Sequence, residues 1–115
     1  MIELTLTDEQ AKIVGIACEF YARVKMGQFN EIIWHTIDFR QDGEKLCKNR
    51  DEAQRLLFEA RKYLMPGLGG IGHSYGMGDN EYADKAYDVY QVIRNALGDD
   101  RTPFSYYELP KIKKY

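Results

Sequence analysis

The sequence predicts a small, mostly α domain of about four helical segments. It adds a short N-terminal strand or extended arm and an extended C-terminal arm. Three observations carry this. Apolar residues recur at three-four spacing in four stretches. Helix start and stop residues flank those stretches. Both chain ends break the pattern. At 115 residues the chain is one domain in length, and the reading is a single domain over residues 1–115.

The start alternates apolar Ile2, Leu4 and Leu6 with polar Glu3, Thr5 and Thr7, the pattern of a short half-buried strand or arm. Thr7 then reads as an N-cap, with Asp8 and Glu9 in the first turn and Gln10 completing a capping box. Ala11, Val14, Ala17, Cys18, Tyr21 and Val24 form one face of the first helix, and Gly27 stops it. Phe29, Ile32, Ile33, Thr36 and Ile37 predict a second helical piece over 28–37. Residues 38–49 are polar and interrupted by Gly43, which predicts a loop with at most one helical turn near residues 44–48. Asn49 and Glu52 repeat the capping-box spacing. Ala53, Leu56, Leu57, Ala60, Tyr63 and Leu64 then predict the third helix, ended by Pro66. Asp79 or Asn80 caps the fourth, whose stripe is Tyr82, Ala86, Val89, Ile93 and Leu97, and Gly98 stops it. The first and fourth helices are expected to be the longest. The end, with Pro103 and Pro110 around Phe104, Tyr106 and Tyr107, reads as an extended arm.

Composition excludes several classes. The residues are 44% hydrophobic and 30% charged, which supports a folded globule rather than a disordered chain. Sixteen basic against eighteen acidic residues argue against coating nucleic acid through bulk charge. No run approaches the length of a membrane span, and the N-terminus lacks the pattern of a signal peptide. Two cysteines, Cys18 and Cys47, are too few for a disulfide framework, so reduced thiols in a cytoplasm are expected.

Six of the ten glycines fall within residues 67–78. Gly67–Gly72 matches GxGxxG, but the dinucleotide fingerprint needs a strand before it and a helix start directly after, and here a helix precedes it. The remaining readings are a flexible connector, or a nest whose amides approach an anion. His73 and Ser74 are adjacent in sequence, unlike a triad assembled from separate segments. His35, His73, Cys18 and Cys47 lack the short spacing of zinc ligands. No catalytic residue, metal site or cofactor is assigned, and the chain is not expected to be an enzyme.

Nine tyrosines are a heavy load for this length, and an aromatic tail packs on its own body or on a second subunit, so a homo-oligomer is expected. Tyr90 and Arg94 share a helix face, with Tyr87 beside them and Arg101 just beyond the helix end. Arginine beside tyrosine can hold a phosphate and stack a base, and it is also an ordinary surface pairing in which positive charge complements the helix end. The candidate ligand-binding residues are therefore Arg94, Arg101, Tyr90 and Tyr87 with Gly70, Gly72, His73 and Tyr75 of the loop. A fourth helix of about eighteen residues spans roughly 27 Å, so the two groups share a ligand only if the loop folds back or a second subunit packs antiparallel.

Several short blocks spread over most of the chain resemble a family of small bacteriophage- and prophage-encoded proteins of unassigned role. They are Leu6-Thr7-Asp8-Glu9-Gln10-Ala11; Met26-Gly27-Gln28-Phe29 with Glu31 and Ile32; Ser74-Tyr75-Gly76; residues 86–94 as AYDVYQVIR; and Leu97 with Asp100-Arg101. The chain departs from that family at Asn95 and Asp99, where a basic residue and an aromatic are usual. The resemblance implies a viral origin and action in the host cell cytoplasm. By analogy of origin, a small phage protein without an enzyme signature is a counter-defence protein. The function expected is sequestration of a nucleotide-type immune signal, such as a cyclic oligonucleotide or an ADP-ribose derivative, by a homo-oligomer. The alternative is an inhibitor that binds a host defence protein through an aromatic surface patch.

Overall fold

The computed structural model describes residues 1–70 and 72–115. Among the described residues the chain is mostly helical and contains no strand. The helices are α1 (Asp8–Lys25), α2 (Asn30–Thr36), α3 (Gly43–Leu64) and α4 (Glu81–Ala96). None of them is long and apolar enough to cross a membrane. The chain forms two compact units, the first made of Met1–Ala22 and Met77–Tyr115, the second of Arg23–Gly76.

The termini of α1 and α4 follow their capping residues. Thr7 N–H donates to Gln10 Oε1 at 3.0 Å and Gln10 N–H to Thr7 Oγ1 at 3.2 Å, a reciprocal capping box. Asn80 Oδ1 accepts from Ala83 N–H at 3.0 Å. Both helices end in a Schellman arrangement. Gln28 N–H reaches back to Arg23 O and Gly27 N–H to Val24 O, while Asp99 N–H reaches Arg94 O and Gly98 N–H reaches Asn95 O. The pivots, Gly27 at φ +92° and Gly98 at φ +113°, occupy backbone space that side chains disfavour.

Four expectations are corrected. First, of the two readings of residues 1–7 no strand is present among the described residues, which leaves the extended arm, and its Ile2 and Leu4 lie exposed rather than half-buried. Second, α3 begins at Gly43 rather than at Asn49, so it is the longest helix with 22 residues. Residues 44–50 contain no helix breaker, and Asn49 sits mid-helix with its side-chain amide on Gln41 Oε1. Third, α2 is seven residues, shorter than the predicted piece. Fourth, the inward faces of α3 and α4 are rotated from the predicted stripes. Tyr63, Leu64 and Tyr82 are exposed, while Arg61, Asp84, Asp88 and Gln91 are buried.

In the first unit, Gly15 of α1 lets Ile93 of α4 approach, since a Cβ built there would lie 3.3 Å from Ile93 Cγ2. The C-terminal arm has no helix or strand and lies on α4. Gln91 grips the backbone of Phe104 at two points, its Nε2 donating to Phe104 O at 2.8 Å and its Oε1 accepting from Phe104 N–H at 2.9 Å. Ser105 Oγ donates to Asp88 Oδ2. In the second unit, α2 packs on α3 with Ile33 buried.

Candidate functional site

The second unit holds a cavity of about 680 Å³. Its walls are the α1–α2 turn with the first turn of α2 (Gln28, Phe29, Asn30, Glu31), one face of α3 (Asp51, Gln54, Arg55, Phe58, Arg61) and the glycine loop (Gly72, His73, Ser74). The spacing 51, 54, 55, 58, 61 is one helical face, so five side chains of α3 meet the cavity in register.

Arg61 fixes this geometry. It is 7% exposed and carries a full charge. Its guanidinium donates to four carbonyls: Nη1 to Gly27 O and His73 O, both at 2.9 Å, and Nη2 to Gly69 O at 3.0 Å and Gly70 O at 2.8 Å. The Phe58 ring lies 5.2 Å from the same guanidinium, with Lys62 Nζ 5.0 Å from that ring. The turn before α2 and the glycine loop are thus hung on one side chain. Tyr75 N–H donates to Met26 O at 2.8 Å and ties the loop to the same turn. Close packing explains two glycines: a Cβ on Gly27 would collide with Leu68, and one on Gly69 with the His73 ring.

The loop therefore differs from an anion nest in the groups it turns inward. Carbonyls of Gly69, Gly70 and His73 converge on a cation, and His73 N–H is spent on Gly70 O at 3.0 Å. The GxGxxG match includes Ile71, which lies outside the described residues. Of the four predicted loop residues, Gly72 and His73 line the cavity, Gly70 serves Arg61, and Tyr75 serves Met26.

The charges around the cavity are mostly matched. Glu31 lies 3.6 Å from His35, Asp51 3.2 Å from Arg50, and Arg55 pairs with Glu52. Arg55 holds the Glu52 carboxyl below its ordinary range through that hydrogen bond. What remains along the cavity is two half-buried aromatic rings, Phe29 and Phe58, and the exposed side-chain amides of Asn30 and Gln54.

The other four predicted residues lie together in the first unit. Tyr87 and Tyr90 rings are 5.3 Å apart, and the Arg94 guanidinium stands 5.0 Å over Tyr90 with Nη1 3.4 Å from its hydroxyl. Asp99 neutralises this cluster. Arg101 donates to both of its carboxylate oxygens, at 2.8 and 2.7 Å, and Arg94 Nε lies 3.8 Å away. Hydrogen bonds from the Arg101 side chain and backbone push the Asp99 carboxyl far below the carboxylate range, and Asp99 raises Arg101 in return. Arg101 is thus held by Asp99 two residues before it, while Arg94 Nε is buried without a hydrogen bond and only faces that carboxylate at 3.8 Å.

Arg61, Phe58, Phe29, Asn30 and Gln54 were not singled out as site residues by the sequence, which placed Phe29 only on a helical stripe. The signal available was an arginine four residues beyond Leu57 and eight beyond Ala53, on the apolar line of α3. Among the described residues no group of three or more His, Cys, Asp or Glu is gathered around a metal position. Comparisons of the chain with protein-family models, curated proteins and solved structures give no match.

Proposed function

We propose that the protein binds a small nucleotide-type molecule in the second unit's cavity and withdraws it from solution. The observation that carries this reading is the pairing of two aromatic rings with two side-chain amides along one cavity of about 680 Å³. Pockets of roughly 300–1,000 Å³ suit ligands of this size. Phe29 and Phe58 offer stacking faces for a base, and Asn30 and Gln54 each offer a donor and an acceptor for a base edge. Arg55 at the rim supplies a fork for a phosphate if it exchanges Glu52 for the ligand.

The resemblance to small phage proteins supports a counter-defence role in a host cytoplasm, with a cyclic oligonucleotide or an ADP-ribose derivative as the withdrawn signal. Exposed Trp34, Phe39, Tyr63 and Leu64 in the second unit support a homo-oligomer. A second reading rests on the first unit, where Tyr82, Phe104 and Tyr106 are more than half exposed and offer an aromatic patch to a host defence protein.

Two variants separate the sites. Phe58→Ala removes a stacking face of the cavity, worth about 1–3 kcal/mol per base. Arg94→Ala removes one of the two cations of the first unit's cluster, the one over Tyr90. Calorimetry with cyclic dinucleotides and ADP-ribose should show binding weakened in Phe58→Ala and retained in Arg94→Ala. The reverse pattern moves the ligand to the arginine–tyrosine cluster, and no heat from any nucleotide favours the protein-binding reading.

A further inference from the structure

The first unit buries two carboxylates on one face of α4, and the proposed ligand site uses neither. Asp84 and Asp88 are each 2% exposed and sit four residues apart, one above the other on the helix. Asp84 is occupied, its Oδ2 accepting from Gly78 N–H at 2.9 Å. Asp88 is half served. Its Oδ2 accepts from Ser105 Oγ, while its Oδ1 is buried with no hydrogen-bond partner. Buried acceptors are almost always paired, and an ionised carboxylate is the costliest group to leave short.

What covers Asp88 is the C-terminal arm. Ser105 is a relay there, since its hydroxyl donates to Asp88 and accepts from Tyr107 N–H at 2.9 Å. Next to it, Gln91 clasps the Phe104 backbone. Lys85 stands 5.3 Å over the Tyr107 ring, and its charge is taken by Glu81 at 2.7 Å. The groups acting on Asp88 are Asp84 on its own helix and Ser105 on the arm, with no basic group among them.

We propose that Asp88, with Asp84 behind it and Ser105 across from it, is a proton-controlled latch that seats the C-terminal arm on α4 when neutral and lets it lift when ionised. In the seated arm, burial pushes the Asp88 carboxyl up, the Ser105 hydrogen bond opposes this, and the Asp84 charge adds to the rise. Lifting residues 104–107 gives both Asp88 oxygens to water and removes the burial. The seated form therefore holds the proton more tightly than the lifted form, and linkage requires that acid favours seating and rising pH favours release. Release uncovers the Asp88–Gln91 face of α4 that the seated arm hides, so the latch meters access to that face.

Solution NMR of the full chain between about pH 3 and about pH 8 tests this. The Asp88 carboxyl should titrate above an ordinary aspartate, near 3.9. The amide signals of Phe104, Ser105 and Tyr107 should move toward those of an unstructured segment with the same midpoint. Asp88→Asn should keep the arm's bound signals at every pH. Ser105→Ala, in the arm and outside the helices, removes the one donor to Asp88, so both midpoints should rise together. Arm signals that stay flat through the Asp88 titration, a transition that survives Asp88→Asn, or an arm midpoint that stays put while the Asp88 midpoint moves in Ser105→Ala would each overturn the latch.

Discussion

At the scale of single residues, the second unit depends on Arg61 and Gly27. Removing the Arg61 guanidinium leaves four carbonyls without their donor, and hydrogen bonds to a charged group contribute about 1.5–3 kcal/mol each. Arg61→Met, which keeps the volume and loses the donors, should lower unfolding stability by at least about 3 kcal/mol in a denaturant titration. Arg61→Lys should recover only part of this, because an ammonium cannot reproduce the planar fork. Gly27→Ala meets both a left-handed φ and Leu68, so it should cost more than the roughly 1 kcal/mol of a strained backbone alone. An Arg61→Met protein with wild-type stability would remove the clamp from the account. The sequence showed the glycines and hid the reason for them. A cluster of glycines reads as an anion nest or a connector, because nothing local reveals that an arginine from the preceding helix will take their carbonyls.

At the scale of elements, the caps were legible and the buried faces were only partly so. Thr7, Gln10, Asn80, Gly27 and Gly98 act through neighbours three to five residues away, so their roles can be read from spacing. Thr7→Ala and Asn80→Ala should each cost about 1 kcal/mol, measured by thermal or chemical unfolding. The start of α3 was missed because Asn49 and Glu52 mimic a capping box while the preceding residues are already helix formers. The inward face of α4 was missed because Asp84, Asp88 and Gln91 look like a solvated side until Gly78 N–H takes Asp84 and the C-terminal arm meets Gln91 and Asp88 from 13 and 17 residues downstream. That face has a pH signature in stability. The Asp88 carboxyl is raised on folding, so its contribution is fully present below the unfolded value, near 3.9, and is lost as pH rises through the higher folded value. Asp88→Asn should therefore stabilise the protein near pH 7, with the gain vanishing below about pH 3. Asp99 has the opposite sign. Its carboxyl is lowered on folding, so its support is present above the ordinary carboxylate range and is lost on acidification.

At the scale of the whole molecule, the protein combines the cavity proposed to take a nucleotide with many exposed aromatic and aliphatic side chains. Trp34, Phe39, Tyr63 and Leu64 are all more than half exposed, which is unusual for a chain that stays alone in solution. Light scattering at micromolar concentration should find a multiple of the monomer mass, and a species of monomer mass alone would end the oligomer proposal. Fold class was legible because helix periodicity is a local property. The cavity was not, since its walls come from three segments that only tertiary structure gathers. The measurement that bears most directly on the central claim is release of a bound nucleotide. The purified protein is incubated with cell extract containing nucleotide signals, washed and denatured, and the supernatant is analysed by mass spectrometry. The account predicts a nucleotide released from wild type and from Arg94→Ala at comparable amounts and depleted from Phe58→Ala. A wild-type protein that releases no nucleotide, or a Phe58→Ala protein that releases as much as wild type, would contradict it.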